Sequence, residues 1–297
     1  MIEIENKDYT FPFSKGILAQ SIQPTGLPID DIYKIVREVE DALKSEKTPV
    51  PAHDVHKKVV QVLSKKGLEK EIRRYKISRK IALIDKPLVI LIGGTSGIGK
   101  SSIAAALTRR LGIERVIGTD EIREVMRYTL PEDLLPALHK SSFEAGETLA
   151  GPDIKENVLV GFTRQASIVN SGVRAYIKRT EKEGLKAIFD GVHLVPGMLG
   201  IDEENSSVMI FHYLLTLSDK EEHIRRFHYR KEGNLRNPER YIQKIDRIRS
   251  IQKYAITQVK ETDAKKIENL NKGQTVTEIV DDLIEKLPIQ ISENYDE

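Results

Sequence analysis

Apolar residues along this chain keep two different periods, and the change between them divides it. Behind Pro28 and the acidic start Asp30-Asp31, residues Ile32, Ile35, Val36, Val39 and Leu43 repeat at helical spacing and predict one helix. Thr48-Pro49-Val50-Pro51 breaks that period; Val55, Val59, Val62 and Leu63 then open a second helix, which Gly67 ends. A third helix is predicted from about Leu68 to Leu83, and a short strand at Ile2–Ile4 precedes all three. Residues 1–85 therefore read as a small, mainly helical domain.

At Asp85-Lys86-Pro87 the pattern changes to a continuous run, Leu88-Val89-Ile90-Leu91-Ile92, short, rich in β-branched residues and followed at once by glycines. Those traits predict a strand buried on both faces. Further strands are predicted at Arg115–Gly118, Lys186–Phe189, Val208–Leu217 and Lys266–Glu268. Between and after them lie helical stretches at Ser101–Leu111, Glu121–Tyr128, about Asn157–Glu183, Asp219–Val259 and Val276–Leu287. Alternation of this kind predicts an α/β domain over residues 86–297, a parallel sheet with helices on both faces.

Composition narrows the setting more than the function. Hydrophobic residues at 39% and charged residues at 31% describe a globular protein, and 47 Lys and Arg against 45 Asp and Glu leave no global field for nucleic acid or a membrane surface. The chain starts without a basic or apolar export segment and holds no 18-residue apolar run, so a cytoplasmic protein is expected. The absence of cysteine excludes disulfides, thiolate metal sites and a Cys nucleophile. Abundant Lys, Glu and Ile with no Cys or Trp is a composition seen in thermophiles.

The chemistry is carried by Gly94-Thr95-Ser96-Gly97-Ile98-Gly99-Lys100-Ser101, the G-x4-G-K-S pattern placed directly after a strand and opening a helix. Such a P-loop wraps its backbone N–H groups around phosphates, with Lys100 neutralising the β and γ groups. Ser101 is predicted to ligate Mg²⁺, and Ser102 continues the cradle into the helix. MgATP is thus the expected nucleotide. Phe189-Asp190-Gly191 ends an apolar strand in an acid, so Asp190 is the candidate second Mg²⁺ residue; a solvated turn Asp is the plain alternative.

A phosphoryl donor needs an acceptor site. Asp120 lies at the carboxyl end of the second strand of the sheet, where open α/β sheets bind ligands, and could take or orient the proton of an acceptor hydroxyl. Arg123 and Arg127 are four apart on one helical face, suited to a phosphate or carboxylate. The plainer reading makes Asp120 a helix cap and pairs the arginines with Glu121 and Glu124. Residues 221–253 carry ten Lys and Arg against five Asp and Glu, and in a kinase such a stretch forms a lid whose arginines, Arg226 and Arg230 among them, close on the transferring group. A solvated basic face on a helix pair fits as well. The seven His show no metal spacing; His193, near Asp190, is a further candidate acceptor contact or else structural.

Three stretches, Leu138-His139-Lys140-Ser141-Ser142-Phe143-Glu144-Ala145, Gly161-Phe162-Thr163-Arg164-Gln165 and Phe189-Asp190-Gly191-Val192-His193-Leu194-Val195-Pro196-Gly197, together resemble archaeal 2-phosphoglycerate kinase from about residue 88 to the end. The resemblance implies ATP-dependent phosphorylation of the 3-hydroxyl of 2-phosphoglycerate to give 2,3-bisphosphoglycerate, a precursor of cyclic 2,3-diphosphoglycerate in methanogens. Asp190 departs from it, since Glu is expected there. Residues 1–85 resemble an ATP-cone, a small nucleotide-binding regulatory module, through Pro12-Phe13-Ser14-Lys15-Gly16-Ile17-Leu18, Ile35-Val36-x-x-Val39-Glu40 and Arg74-Tyr75-x-x-x-Arg79. Two rivals stand beside this reading: a kinase of a nucleoside or polynucleotide end, and a regulatory ATP-binding switch protein with no acceptor.

Overall fold

A computed structural model describes residues 2–6, 9–84, 86–149, 154–201, 206–229 and 237–287. It separates into two compact units, Met1–Ile84 with Arg109–Gly112 and the stretch from Ile284 on, and Asp85–Thr108 with Ile113–Leu283.

In the first unit, β1 (Glu3–Asn6) pairs antiparallel with β2 (Tyr9–Pro12) and parallel with β3 (Val50–Pro51). Four helices follow or interleave: α1 (Lys15–Ile22), α2 (Ile29–Leu43), α3 (Ala52–Lys65) and α4 (Glu69–Leu83). The periodic residues of α2 and α3 do form its core, with Ile32, Ile35, Val36, Val39, Leu43, Val59 and Leu63 all buried. The periodicity does not foresee β2, β3 or α1. β3 is two residues long, and its partner lies far back in the chain, so nothing local distinguishes it from a break. The amino end of α1 is fixed by the Ser14 hydroxyl, which accepts from the Ile17 N–H at 3.4 Å, a cap rather than an apolar period.

The second unit is built on five parallel strands, β4 (Leu88–Gly93), β5 (Arg115–Gly118), β6 (Lys186–Gly191), β7 (Met209–Thr216) and β8 (Lys265–Glu268), in the order β5-β6-β4-β7-β8. Every residue of β4 is buried. Val89 and Leu91 pack with Val173 and Ile177 of α7 (Ile154–Lys182), while Leu88, Ile90 and Ile92, on the alternate face, are equally covered. Helices on both faces explain why the strand reads as an unbroken apolar run. Pairing of Ile92 with Asp190 and Gly93 with Gly191 brings the end of β6 level with the start of the glycine loop.

The remaining helices are α5 (Lys100–Leu111), α6 (Thr119–Thr129), α8 (Lys220–Tyr229), α9 (Pro238–Gln243), α10 (Ile245–Val259) and α11 (Lys272–Lys286). The single helical stretch expected over Asp219–Val259 is thus three helices. Pro238 sits in the first turn of α9 behind the Asn237 cap, and at Lys244 the backbone leaves the helical range.

Candidate active site

The loop between β4 and α5 takes its shape from glycine. Gly94, Gly97 and Gly99 have φ of +137°, +86° and +92°, a region that side chains disfavour. At Gly97 space forbids them as well, since an added Cβ would lie 2.6 Å from the Phe227 ring. Two carbonyls of the loop are taken up by groups outside it. His223 Nε2 donates to Ser96 O at 2.7 Å; Asn269 Nδ2 at 2.6 Å and Arg226 at 3.3 Å donate to Ile98 O. Asn269 is itself held by the Thr275 hydroxyl at 2.9 Å. Lys100 Nζ donates to Thr95 O at 2.8 Å.

This loop fits the phosphates of a nucleotide on three counts. Its Thr95, Ser96 and Ile98 carbonyls are bound by the chain, which turns N–H groups of the loop toward an anion. α5 has no acidic residue in its first turn to offset its positive end, where Ser101 and Ser102 lie. The buried Thr95 hydroxyl oxygen has no hydrogen-bond partner among the described residues.

Asp190 and Ser101 meet as a magnesium site of this class requires: the Ser101 hydroxyl donates to Asp190 Oδ2 at 2.7 Å. Asp190 is only 8% exposed. Burial raises its pKa above the ordinary carboxylate range, opposed by the Ser101 hydrogen bond and by Lys100, while Glu121 and Asp120 push it further up. A carboxylate held in an unfavourable charged state next to a serine hydroxyl is suited to a hard cation. No cluster of three or more acidic or His ligands exists among the described residues, and an ion that keeps its waters and binds phosphate oxygens needs none.

At the candidate acceptor residues, α6 starts where β5 ends, and Glu121 accepts from the Gly118 N–H at 2.6 Å. Asp120, largely exposed, lies 3.6 Å from Arg123 Nε. Arg123 is mostly buried, and its Nη1 donates to Leu138 O at 2.9 Å and Lys140 O at 3.1 Å, anchoring the 3₁₀ turn Pro136–His139. Arg127 pairs with Glu124 at 3.0 Å on the surface.

For His193 the structure fits the structural alternative. It is completely buried, Nδ1 lies 2.8 Å from the Thr119 hydroxyl, and Nε2 lies 3.1 Å from Gln165 Oε1. With no exposed surface it supports the site from behind instead of contacting an acceptor. Gly191 allows this packing, because a Cβ there would stand 1.7 Å from Thr119 Oγ1.

The described arginines Arg226, Arg240 and Arg247 of the basic segment are likewise tied down. Arg226 bonds Glu222 at 2.9 Å and the carbonyls of Ile98 and Leu270, which places it on the back of the phosphate loop rather than over an acceptor. Arg240 pairs with Glu144, and Arg247 and Lys244 pair with Glu147. Arg230 lies outside the described residues. Stacked rings run from His223 to Phe227 (5.2 Å) and on to Tyr241 (5.0 Å), which meets Phe143 at 5.6 Å, and so connect the back of the phosphate loop with the acceptor segment.

Thr119, His223 and Asn269 escape sequence reasoning, and Gln165 enters it only within a quoted stretch. Each acts on a partner far away in the chain, and none carries a local pattern.

No protein-family model matches the chain. Among curated proteins it is 40% identical to the 2-phosphoglycerate kinase of Pyrococcus furiosus over 289 residues, covering 96% of this chain and 94% of that protein. It is 36% identical to the 2-phosphoglycerate kinases of Thermococcus kodakarensis (93% and 94% covered) and Methanocaldococcus jannaschii (98% and 93%). The similarity thus takes in almost the whole chain and does not begin near residue 88. Among solved structures, a shikimate kinase from Acinetobacter baumannii in complex with shikimate is 16% identical, covers 71% of this chain and 99% of that one, and has a TM-score of 0.41, too low to carry weight.

Proposed function

The chain belongs to the 2-phosphoglycerate kinase family and phosphorylates 2-phosphoglycerate at the expense of ATP, and from that premise we propose how its residues divide the work. Gly94–Gly99 and Ser102 bind the nucleotide's phosphates, and Lys100 brings its charge to the transferring group. Ser101 and Asp190, already 2.7 Å apart, would hold Mg²⁺, which when bound neutralises charge on the phosphate oxygens. Asp120 accepts the proton of the acceptor's free hydroxyl as its oxygen attacks phosphorus. Arg123 fixes the neighbouring turn, and Arg127, whose exposed pair with Glu124 is weak, can exchange that partner for an acceptor anion.

Phosphorylation of the 3-hydroxyl gives 2,3-bisphosphoglycerate, which in this reading feeds cyclic 2,3-diphosphoglycerate. A cytoplasmic setting, where ATP and phosphoglycerates are at hand, belongs to the same reading; among the described residues no helix is long and apolar enough to cross a membrane. The contact between Ser101 and Asp190 is the observation that carries the site assignment. Its test is release of ADP from MgATP on adding 2-phosphoglycerate, with 3-phosphoglycerate and nucleosides as competing acceptors. Turnover only with 2-phosphoglycerate supports the reading, and equal turnover with a nucleoside ends it.

The resemblance of residues 1–85 to an ATP-cone supports a separate proposal, that the first unit binds a second nucleotide. Calorimetry on the whole chain should then give two ADP per chain, falling to one in a protein lacking residues 1–85.

A further inference from the structure

The side chains of Thr119, His193, Gln165 and Arg123 form a run of hydrogen bonds that starts and ends on α6. The Thr119 hydroxyl meets His193 Nδ1 at 2.8 Å, and His193 Nε2 meets Gln165 Oε1 at 3.1 Å. Gln165 Nε2 donates to Ala137 O and, at 2.9 Å, to Lys140 O. Arg123 Nη1 reaches the same Lys140 carbonyl at 3.1 Å and so returns the run to α6, four residues from Thr119 and on the same helical face. Thr119, Gln165 and His193 are all completely buried.

The directions of these bonds are determined. Both protons of the Gln165 amide go to carbonyls, so its oxygen must accept. His193 therefore carries its proton on Nε2 and leaves Nδ1 bare, and the Thr119 hydroxyl can only donate to it. Burial holds the imidazole in the neutral form this requires, and of the charged groups acting on it Asp120 opposes that effect while Arg123 and Lys100 reinforce it. From behind, the Asn170 amide donates to the His193 carbonyl at 3.2 Å and the Met198 carbonyl at 3.4 Å, fixing the backbone that carries the ring.

We propose that Thr119, His193 and Gln165 are positioning residues that act as one device, setting the segment 136–140 against the amino end of α6 so that the acceptor is presented to Asp120. The proposal rests on the acceptor-side reading given above and adds to it three buried residues that touch no substrate. A run made of a hydroxyl, an imidazole and an amide holds its two ends at a fixed separation, because lengthening any bond leaves a buried polar atom without a partner. Errors of about 1 Å in such placement cost on the order of a hundredfold in rate.

The test begins on the intact protein. Long-range proton–nitrogen NMR of the ¹⁵N-histidine-labelled chain should show His193 neutral with its proton on Nε2 at neutral pH; a proton on Nδ1, or a charged imidazole, overturns the directed run without any variant. Thr119→Val keeps the shape and removes the hydroxyl, and Gln165→Leu removes the amide. Each should lower kcat/KM for 2-phosphoglycerate by about tenfold or more, the scale of one buried polar group left unpaired. The Kd for ADP, measured by calorimetry, should stay within about twofold, and Thr119→Ser should restore most of the loss. The double variant should be little worse than either single one, because both break the same run.

Unchanged kcat/KM in either folded variant overturns the proposal, as does a parallel loss of ADP affinity, which marks general damage, or losses that multiply in the double variant. If Asp120→Asn proves harmless while the Thr119 and Gln165 variants still impair acceptor use, the positioning device stands and the proton-acceptor role of Asp120 falls. If Asp120→Asn is severe and those variants are silent, the reverse holds.

Discussion

The proposed donor and acceptor sides of this site are built by opposite strategies. The donor side is eight consecutive residues, Gly94–Ser101, and the neighbours that brace it act on its backbone carbonyls. The acceptor side has no contiguous core; Thr119 and His193 are 74 positions apart, and the 3₁₀ turn is held by residues from α6 and α7. The contrast follows from what each side binds. A polyphosphate is recognised by its charge and by backbone N–H groups, which a short glycine-spaced loop can supply alone. A particular hydroxyl beside a phosphate and a carboxylate needs side chains at fixed separations, and only several elements packed together provide them.

Lys100→Ala should do the most damage, because it removes the donor side's charge. We expect kcat to fall on the order of 10² or more with the melting temperature little changed. Steady-state rates and a thermal melt check both, and a variant within about threefold of the parent rate would remove the donor site from this loop.

Asp120→Asn comes next and probes the other side. A loss on the order of 10² in kcat, with acceptor KM hardly moved, is expected if the carboxylate works in the transition state. A mild change in both parameters would return Asp120 to a surface role beside Arg123.

Asp190→Asn should weaken metal use and, unusually for an active-site change, stabilise the free protein. At limiting Mg²⁺ a drop of about tenfold is expected, recovered in part as Mg²⁺ is raised. Burial raises the Asp190 pKa, so the folded state favours the protonated carboxyl, and that contribution is lost as pH rises through the folded-state value. At neutral pH the charged form is a burden that Asn relieves. Melting temperature without nucleotide should therefore rise at neutral pH, and the gap should close toward acid pH; a lower melting temperature at neutral pH would contradict the burial argument.

The smallest effects are expected from the two arginines of α6, and they should differ from each other. Arg123→Ala releases two carbonyls of the acceptor turn and should raise acceptor KM by about tenfold, whereas Arg127→Ala, losing an exposed pair, should raise it by about threefold. Equal values would mean that both act only through charge.

What depends on neighbouring residues could be read from the order of residues alone. The apolar run Leu88–Ile92 marks a doubly covered strand, the glycine spacing marks the phosphate loop, and an acid closing a later apolar strand points to Asp190. The periods of α2 and α3 mark the core of the first unit. Each is a local property, a backbone angle or a face of one element, that the chain expresses wherever it sits. Which side chains meet was set by the packing of the folded chain. It buried His193, turned Arg123 toward the carbonyls of a 3₁₀ turn and Arg226 toward the back of the phosphate loop, and gave Gln165 and Asn269 partners 28 and 171 positions away. A buried hydrogen-bonding group is satisfied by whatever the fold brings within about 3 Å. That distance is fixed by sheet register and helix packing, and it leaves no trace in the spacing of residues along the chain.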